Sequence, residues 1–368
     1  MEISNIGEPD ILVTIALSAI LFLVLILPFR VKKVEENLEP FFLVMGIIAV
    51  TVSKLWDVDL VIEALESPVR ITEVFGIPVG IFQVVLIVGL IIHYYNKPIY
   101  SALLSLMKKI GIRAFAFIFI VLFGLISSLI SVIVCAVLIA EIALVMPVDR
   151  KKKIEFVVIA CFAVGMGAAL TPVGEPLSTI AVKKLSGEPY HADFFFLIDL
   201  LAVYIIPGVF LLGILGALRI GQQKTGELTL PEYTETLRVV IIRALRVYIF
   251  IAALVLLGGG FTPLIVWYIS KIPPEILYWV NMVSAILDNA TLTAAEIGPS
   301  LTIFQIKSAL MALVISGGML IPGNIPNIVS AARLRITMSE WAKIGVPLGF
   351  VLMLGYFVLI FFVEPLII

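Results

Sequence analysis

An aspartate and an asparagine stand side by side in an apolar stretch, Asp288-Asn289, four and five residues after Ser284 and followed by Thr291 and Thr293. A carboxylate at the centre of a membrane helix costs roughly 2.5–3.5 kcal/mol on insertion scales, so one that is kept there reads as a titratable ligand for a cation or a proton. A second acid, Glu175, falls inside Thr171-Pro-Val-Gly-Glu-Pro176, with Ser178 and Thr179 close behind. A third polar group carries no acid: Ser316, Asn324, Asn327 and Ser330 gather around Gly317-Gly-Met-Leu-Ile-Pro-Gly-Asn-Ile-Pro326. Hydroxyls, carboxamides and freed carbonyls are hard oxygen donors, suited to Na⁺ or a comparable ion. Two carboxylates without Lys or Arg at the same depth bias such a site toward a cation, although the N-termini of half-helices also bind anions.

The elements that must hold these residues are membrane helices. Of 368 residues, 61% are hydrophobic and 14% charged, and the mean hydropathy is +1.18. A soluble domain of this size is about half apolar and about a quarter charged. The net charge of −1 argues against a general nucleic-acid binder. Cys135 and Cys161 both lie in apolar runs, so no disulfide framework is expected. His93 and His191 are too few and too far apart for a histidine metal site. The fold class expected is an all-α polytopic membrane protein with about eight spans and two re-entrant hairpins.

Basic residues in short loops mark the cytoplasmic side. Spans over about 11–29, 40–56, 77–95, 154–185, 194–218, 247–268, 303–330 and 345–366 put both termini outside a cytoplasmic membrane. The segments 114–147 and 272–302 each start and finish on one side and are read as hairpins, the former being too short for two crossings of about 20 residues. Six of the 25 Lys and Arg fall at the outer edge (Lys54, Arg70, Lys183, Lys184, Lys271 and Lys307). The organisation expected is N-terminal spans over 1–76, one repeat over 77–218, a cytoplasmic loop over 219–246 and a second repeat over 247–368.

The two halves read alike. Ser128 through Ala140-Glu-Ile142, with Ser131 inside it, resembles Ser284 through Ala295-Glu-Ile297, and Gly167 to Pro176 resembles Gly317 to Pro326. The first copy starts inside and the second outside, so the repeats are inverted, with helices broken in corresponding places, as in secondary transporters. Pro172, Gly174 and Pro176, and Pro322, Gly323 and Pro326, remove helix hydrogen bonds. The freed groups cost several kcal/mol each in hydrocarbon unless something satisfies them. Glu141 and Glu296, at matching ends of the hairpins, are expected to be solvated or capping residues.

These motifs resemble those of the ion transporter superfamily, closest to NhaD-type sodium/proton antiporters. Ser284 through Asn289 is similar to that family's Ser-x-x-x-Asp-Asn hairpin motif, and Thr171-Pro-Val-Gly-Glu175 to its Thr/Ser-Pro-Ile-Gly-Asp motif. The chain also resembles a group of uncharacterised prokaryotic membrane proteins labelled as cation transporters. It departs where the family has an Asp-Asn pair in the first hairpin (Val132 and Ile133 or Val134 here) and an Asn about ten residues before the break acid (Gly165 here). The resemblance implies a hairpin-bearing transport domain that moves as an elevator against a dimeric scaffold, with connecting arms at about 97–112 and 261–273.

The function expected is a Na⁺/H⁺ antiporter, with cation and proton competing for Asp288 and Glu175. The oxygen set expected around them is Asn289, Ser284, Thr291, Thr171, Ser128, Ser131, Asn324, Asn327 and Ser316. The alternative is Na⁺-coupled uptake of an organic or inorganic anion. An intramembrane hydrolase would need a second close Asp or a Ser–His pair at depth, so no enzyme is expected. No cofactor is implied; Na⁺ and H⁺ enter as transported ions. The partners expected are lipid, a small inorganic cation and a second copy of the chain.

Overall fold

The computed structural model describes residues 8–35, 37–70, 72–74, 77–130, 132–221, 236–268, 272–287 and 289–366. Helices α1 (Ile11–Arg30), α2 (Lys32–Glu35), α3 (Leu38–Ser53) and α4 (Val58–Glu66) lead to a small antiparallel pair, β1 (Thr72–Val74) and β2 (Ile77–Val79). Then come α5 (Ile81–Ile110), α6 (Ile112–Ile130), α7 (Val132–Val145), α8 (Arg150–Ala168), α9 (Pro176–Leu185) and α10 (Phe196–Ile220). The second half holds α11 (Leu237–Trp267), α12 (Pro274–Val280), α13 (Asn289–Glu296), α14 (Ile303–Gly317), α15 (Ile325–Leu334) and α16 (Met338–Val358).

Local chemistry explains where many of these begin. Asp10 and Asp149 turn their carboxylates onto the first free N–H groups of α1 and α8. Thr302 with Gln305, and Thr337 with Glu340, form reciprocal caps at the starts of α14 and α16, the pattern that satisfies two orphan donors at once.

Among the described residues, five helices are long and apolar enough to cross a membrane: Ile11–Arg30, Ile112–Leu129, Phe196–Ile220, Leu237–Trp267 and Met338–Leu366. The two parts of α5 together make a sixth, bent by 85° near Tyr95. The chain is therefore an α-helical polytopic membrane protein by length and composition. Three of the eight expected spans are not among these. α3 is 16 residues long, α14 is 15, and α8 opens on four basic residues. In addition, α6 alone is long enough to cross, where a half-depth arm was expected.

Other boundaries also shift. The helix expected to start at 247 already runs from Leu237, so Arg238, Arg243 and Arg246 lie on α11 and not in a loop. Its 31 residues span about 46 Å at 1.5 Å per residue, well beyond a hydrocarbon core of about 30 Å. It also continues to Trp267, through most of the second arm expected at 261–273; residues 269–271 of that arm lie outside the described residues.

Single prolines leave helices intact: Pro207, Pro263 and Pro347 sit inside α10, α11 and α16. The runs Pro172-Val-Gly-Glu-Pro176 and Pro322-Gly-Asn-Ile-Pro326 separate α8 from α9 and α14 from α15. Losing two N–H donors and adding a glycine within five residues leaves too little helix to bridge. The helices before the breaks are buried on every side, α8 from Ile154 to Ala168 and α14 from Ile306 to Gly317, as expected for apolar helices at the centre of a fold.

Candidate functional site

The tip between α6 and α7 docks on the first break. Val132 N donates to Gly174 O at 3.0 Å, and the Thr171 hydroxyl donates to Ser128 O. Both ends of this helix pair lie toward one end of the molecule. Arg113, at the start of α6, donates to Gly221 O beyond α10; Glu141, near the end of α7, pairs with Arg333 at the end of α15. Arg150 there also bonds Glu340 and the carbonyls of Leu334 and Arg335.

The segment between α12 and α13 docks on the second break. The Ser316 hydroxyl donates to Asn281 O at 2.7 Å, and that of Ser284 to Leu313 O at 3.4 Å. A Cβ on Gly323 would fall 2.8 Å from Ser284 O and 2.5 Å from Gly317 O, so only glycine fits there. The freed carbonyls of the break are gathered by one side chain: Asn327 Nδ2 donates to Gly317 O and Leu320 O, each at 2.8 Å. The far end of this unit faces away from the basic cluster, where Lys184 Nζ donates to Ile297 O at 3.2 Å.

The breaks approach each other. A Cβ on Gly165 of α8 would sit 2.7 Å from Asn324 Nδ2. Asn324 in turn caps α15, its Oδ1 accepting from Ile325 N at 2.8 Å. The space a side chain on Gly165 would fill thus holds a carboxamide from the other half of the chain. Cys161 and Ser330 add to the same seam, with Sγ donating to Ser330 Oγ at 3.4 Å and that hydroxyl donating to Ala136 O at 3.3 Å.

Four helix starts thus surround the breaks. Glu175, 3% exposed, is the N-cap residue of α9, and α7 begins beside it. Asn289, also 3% exposed, opens α13; its Nδ2 has no hydrogen-bond partner among the described residues and lies 3.6 Å from where a Gly317 Cβ would be. α13 packs along α9, and their ends meet at Lys184 and Ile297. They have 8 and 10 residues, about 12 and 15 Å, so Asn289 and Glu175 sit at about the same level. Each helix start is equivalent to roughly +0.5 charge.

Of the residues expected at the site, Thr171, Ser128 and Glu175 gather at the first break. Ser284, Asn289, Ser316, Asn324 and Asn327 gather at the second. Asp288 and Ser131 lie outside the described residues, as does the side chain of Thr291. The hydroxyls of Thr171, Ser128 and Ser316 are already engaged with backbone carbonyls. Glu141 and Glu296 are buried, not solvated, at 3% and 7% exposure. Asn281 was missed altogether, yet it is as far before residues 288–289 as Glu296 is after them, and a hairpin folded there brings the two together.

A cavity of about 490 Å³ opens between α3, α11 and α15. Arg243, Arg246 and Arg335 line it, and it reaches Ile321 of the second break.

Nearly the whole chain, residues 14–363, matches the family described as protein of unknown function DUF1646. The chain belongs to that family. No curated protein matches it. What the DUF1646 fold brings together here is two proline-broken helices, the tips docked on them and a buried set of oxygen donors, with a basic cavity leading to one break.

Proposed function

We propose that this protein is a secondary active transporter of the cytoplasmic membrane, a Na⁺/H⁺ antiporter in which Asp288 and Glu175 take a cation or protons in turn. The observation that carries the reading is the meeting of two broken helices, each stabilised by a docked tip, around buried Glu175, Asn289, Asn324 and Asn327. Discontinuous helices facing each other are how transporters present charged helix ends and free carbonyls to an ion within the bilayer. Motif likeness to the NhaD-type antiporters supports the same reading.

The pairing of elements supports an inverted repeat. α7 packs on α15 and α13 on α9, so the arm after each tip lies along the second half of the other repeat's broken helix. In this reading the basic end faces the cytoplasm and both termini face outward. The 85° bend in α5 turns its second half into a lateral arm, which suits an elevator motion of α6–α10 and α12–α16 against a scaffold of α1, α3 and α11 in a homodimer.

The test is proton flux in proteoliposomes across Na⁺, Li⁺, K⁺ and Ca²⁺ gradients. Asp288→Asn is expected to abolish cation-dependent flux, and unchanged flux in that variant rules the assignment out. The cavity favours a second reading, Na⁺-coupled anion uptake, because arginines at its wall attract an anion toward the break. Uptake of a labelled anion driven by a Na⁺ gradient, without counterflow of protons, selects that alternative.

A further inference from the structure

The second hairpin holds a buried acid that the ion site described above does not use. Glu296 ends α13 and Asn281 is on the preceding arm; they are 7% and 0% exposed. Asn281 Nδ2 donates to Glu296 Oε2 at 2.9 Å. The other two oxygens, Glu296 Oε1 and Asn281 Oδ1, have no hydrogen-bond partner among the described residues. Two buried acceptors without a donor are costly, and an ionised carboxylate in that position more so. A proton on Glu296 removes the charge and converts one oxygen into a donor.

The corresponding acid of the first hairpin has no such need. Glu141 is paired with Arg333, and Tyr100 donates to it at 3.1 Å. The hairpins match in position but not in charge.

Among the described residues, the elements packed on α13 give Glu296 no ion pair. On α9, Lys184 donates to the neighbouring Ile297 O, and Lys183 is exposed. On α14, Lys307 is held by Glu364. Glu275 of α12 is exposed, and Arg238, Arg243 and Arg246 are near the opposite end of α11.

We propose that Glu296, supported by Asn281, is a proton-carrying site in the second hairpin, protonated in the arrangement described and giving up its proton when the hairpin changes exposure. Its place in the transport cycle rests on the antiporter reading; its protonation does not.

Infrared difference spectroscopy of the purified full-length protein, titrated with pH, reads the protonated carboxyl band directly. A band present in the parent and absent in Glu296→Gln is expected, and an unchanged band overturns the proposal. In proteoliposomes, Glu296→Gln is expected to lower proton flux at least tenfold and flatten its pH profile. A parent with no cation-dependent flux sinks the antiporter reading alone, whereas an active parent whose profile Glu296→Gln retains sinks this inference alone.

Discussion

Replacing Asn327 with alanine takes two hydrogen bonds from the second break at once. The side chain is wholly buried, and Nδ2 donates to Gly317 O and Leu320 O at 2.8 Å each. A buried carbonyl left without its donor costs about 1–3 kcal/mol. Leu320 O retains a longer bond from Gly323 N at 3.3 Å, so it loses less than Gly317 O. The expected destabilisation is about 2–4 kcal/mol, at the lower end of two full losses. Asn327→Asp keeps the shape but places a second acceptor against those carbonyls, and is expected to cost at least as much as the alanine. Equilibrium unfolding in mixed micelles measures both. Trp341 serves as a local reporter, since its indole donates to Gly318 O at 3.1 Å within the same segment. An alanine variant within about 0.5 kcal/mol of the parent, the size of an ordinary surface substitution, would refute the idea that this one amide holds the opened backbone.

Two further outcomes follow from packing. Glu141→Gln takes the carboxylate charge away from the buried Arg333 guanidinium (side-chain exposures 4% and 8%) and is expected to cost about 3–5 kcal/mol, the usual penalty for breaking a buried pair from one side. Glu141→Gln combined with Arg333→Met should recover much of that loss in the same unfolding assay. Gly165→Ala puts a methyl group 2.7 Å from Asn324 Nδ2, displacing the cap of α15 and costing about 1 kcal/mol. In an Asn324→Ala background the clash is gone, and the added cost of Gly165→Ala should fall below about 0.5 kcal/mol by the same measurement.

Much of the architecture was legible because bilayer chemistry writes itself into composition. Apolar runs near 20 residues and doubled proline-glycine runs located α1, α10 and both breaks, since single prolines in α10, α11 and α16 kept their helices while Pro172 to Pro176 and Pro322 to Pro326 did not. The polar residues at the breaks were legible for the same reason, being costly in hydrocarbon wherever they fall. What the chain alone did not disclose was which partner each residue meets. Glu141 and Glu296 occupy equivalent places in the sequence, yet Arg333, 192 positions away, neutralises the first, while among the described residues only an amide reaches the second. Gly165 read as a missing ligand until packing set the Asn324 carboxamide against it. Periodicity and hydropathy record each residue's preference for lipid or water, and those are local. Which buried charge is compensated depends on contacts between helices far apart in sequence, and only the tertiary structure brings those together.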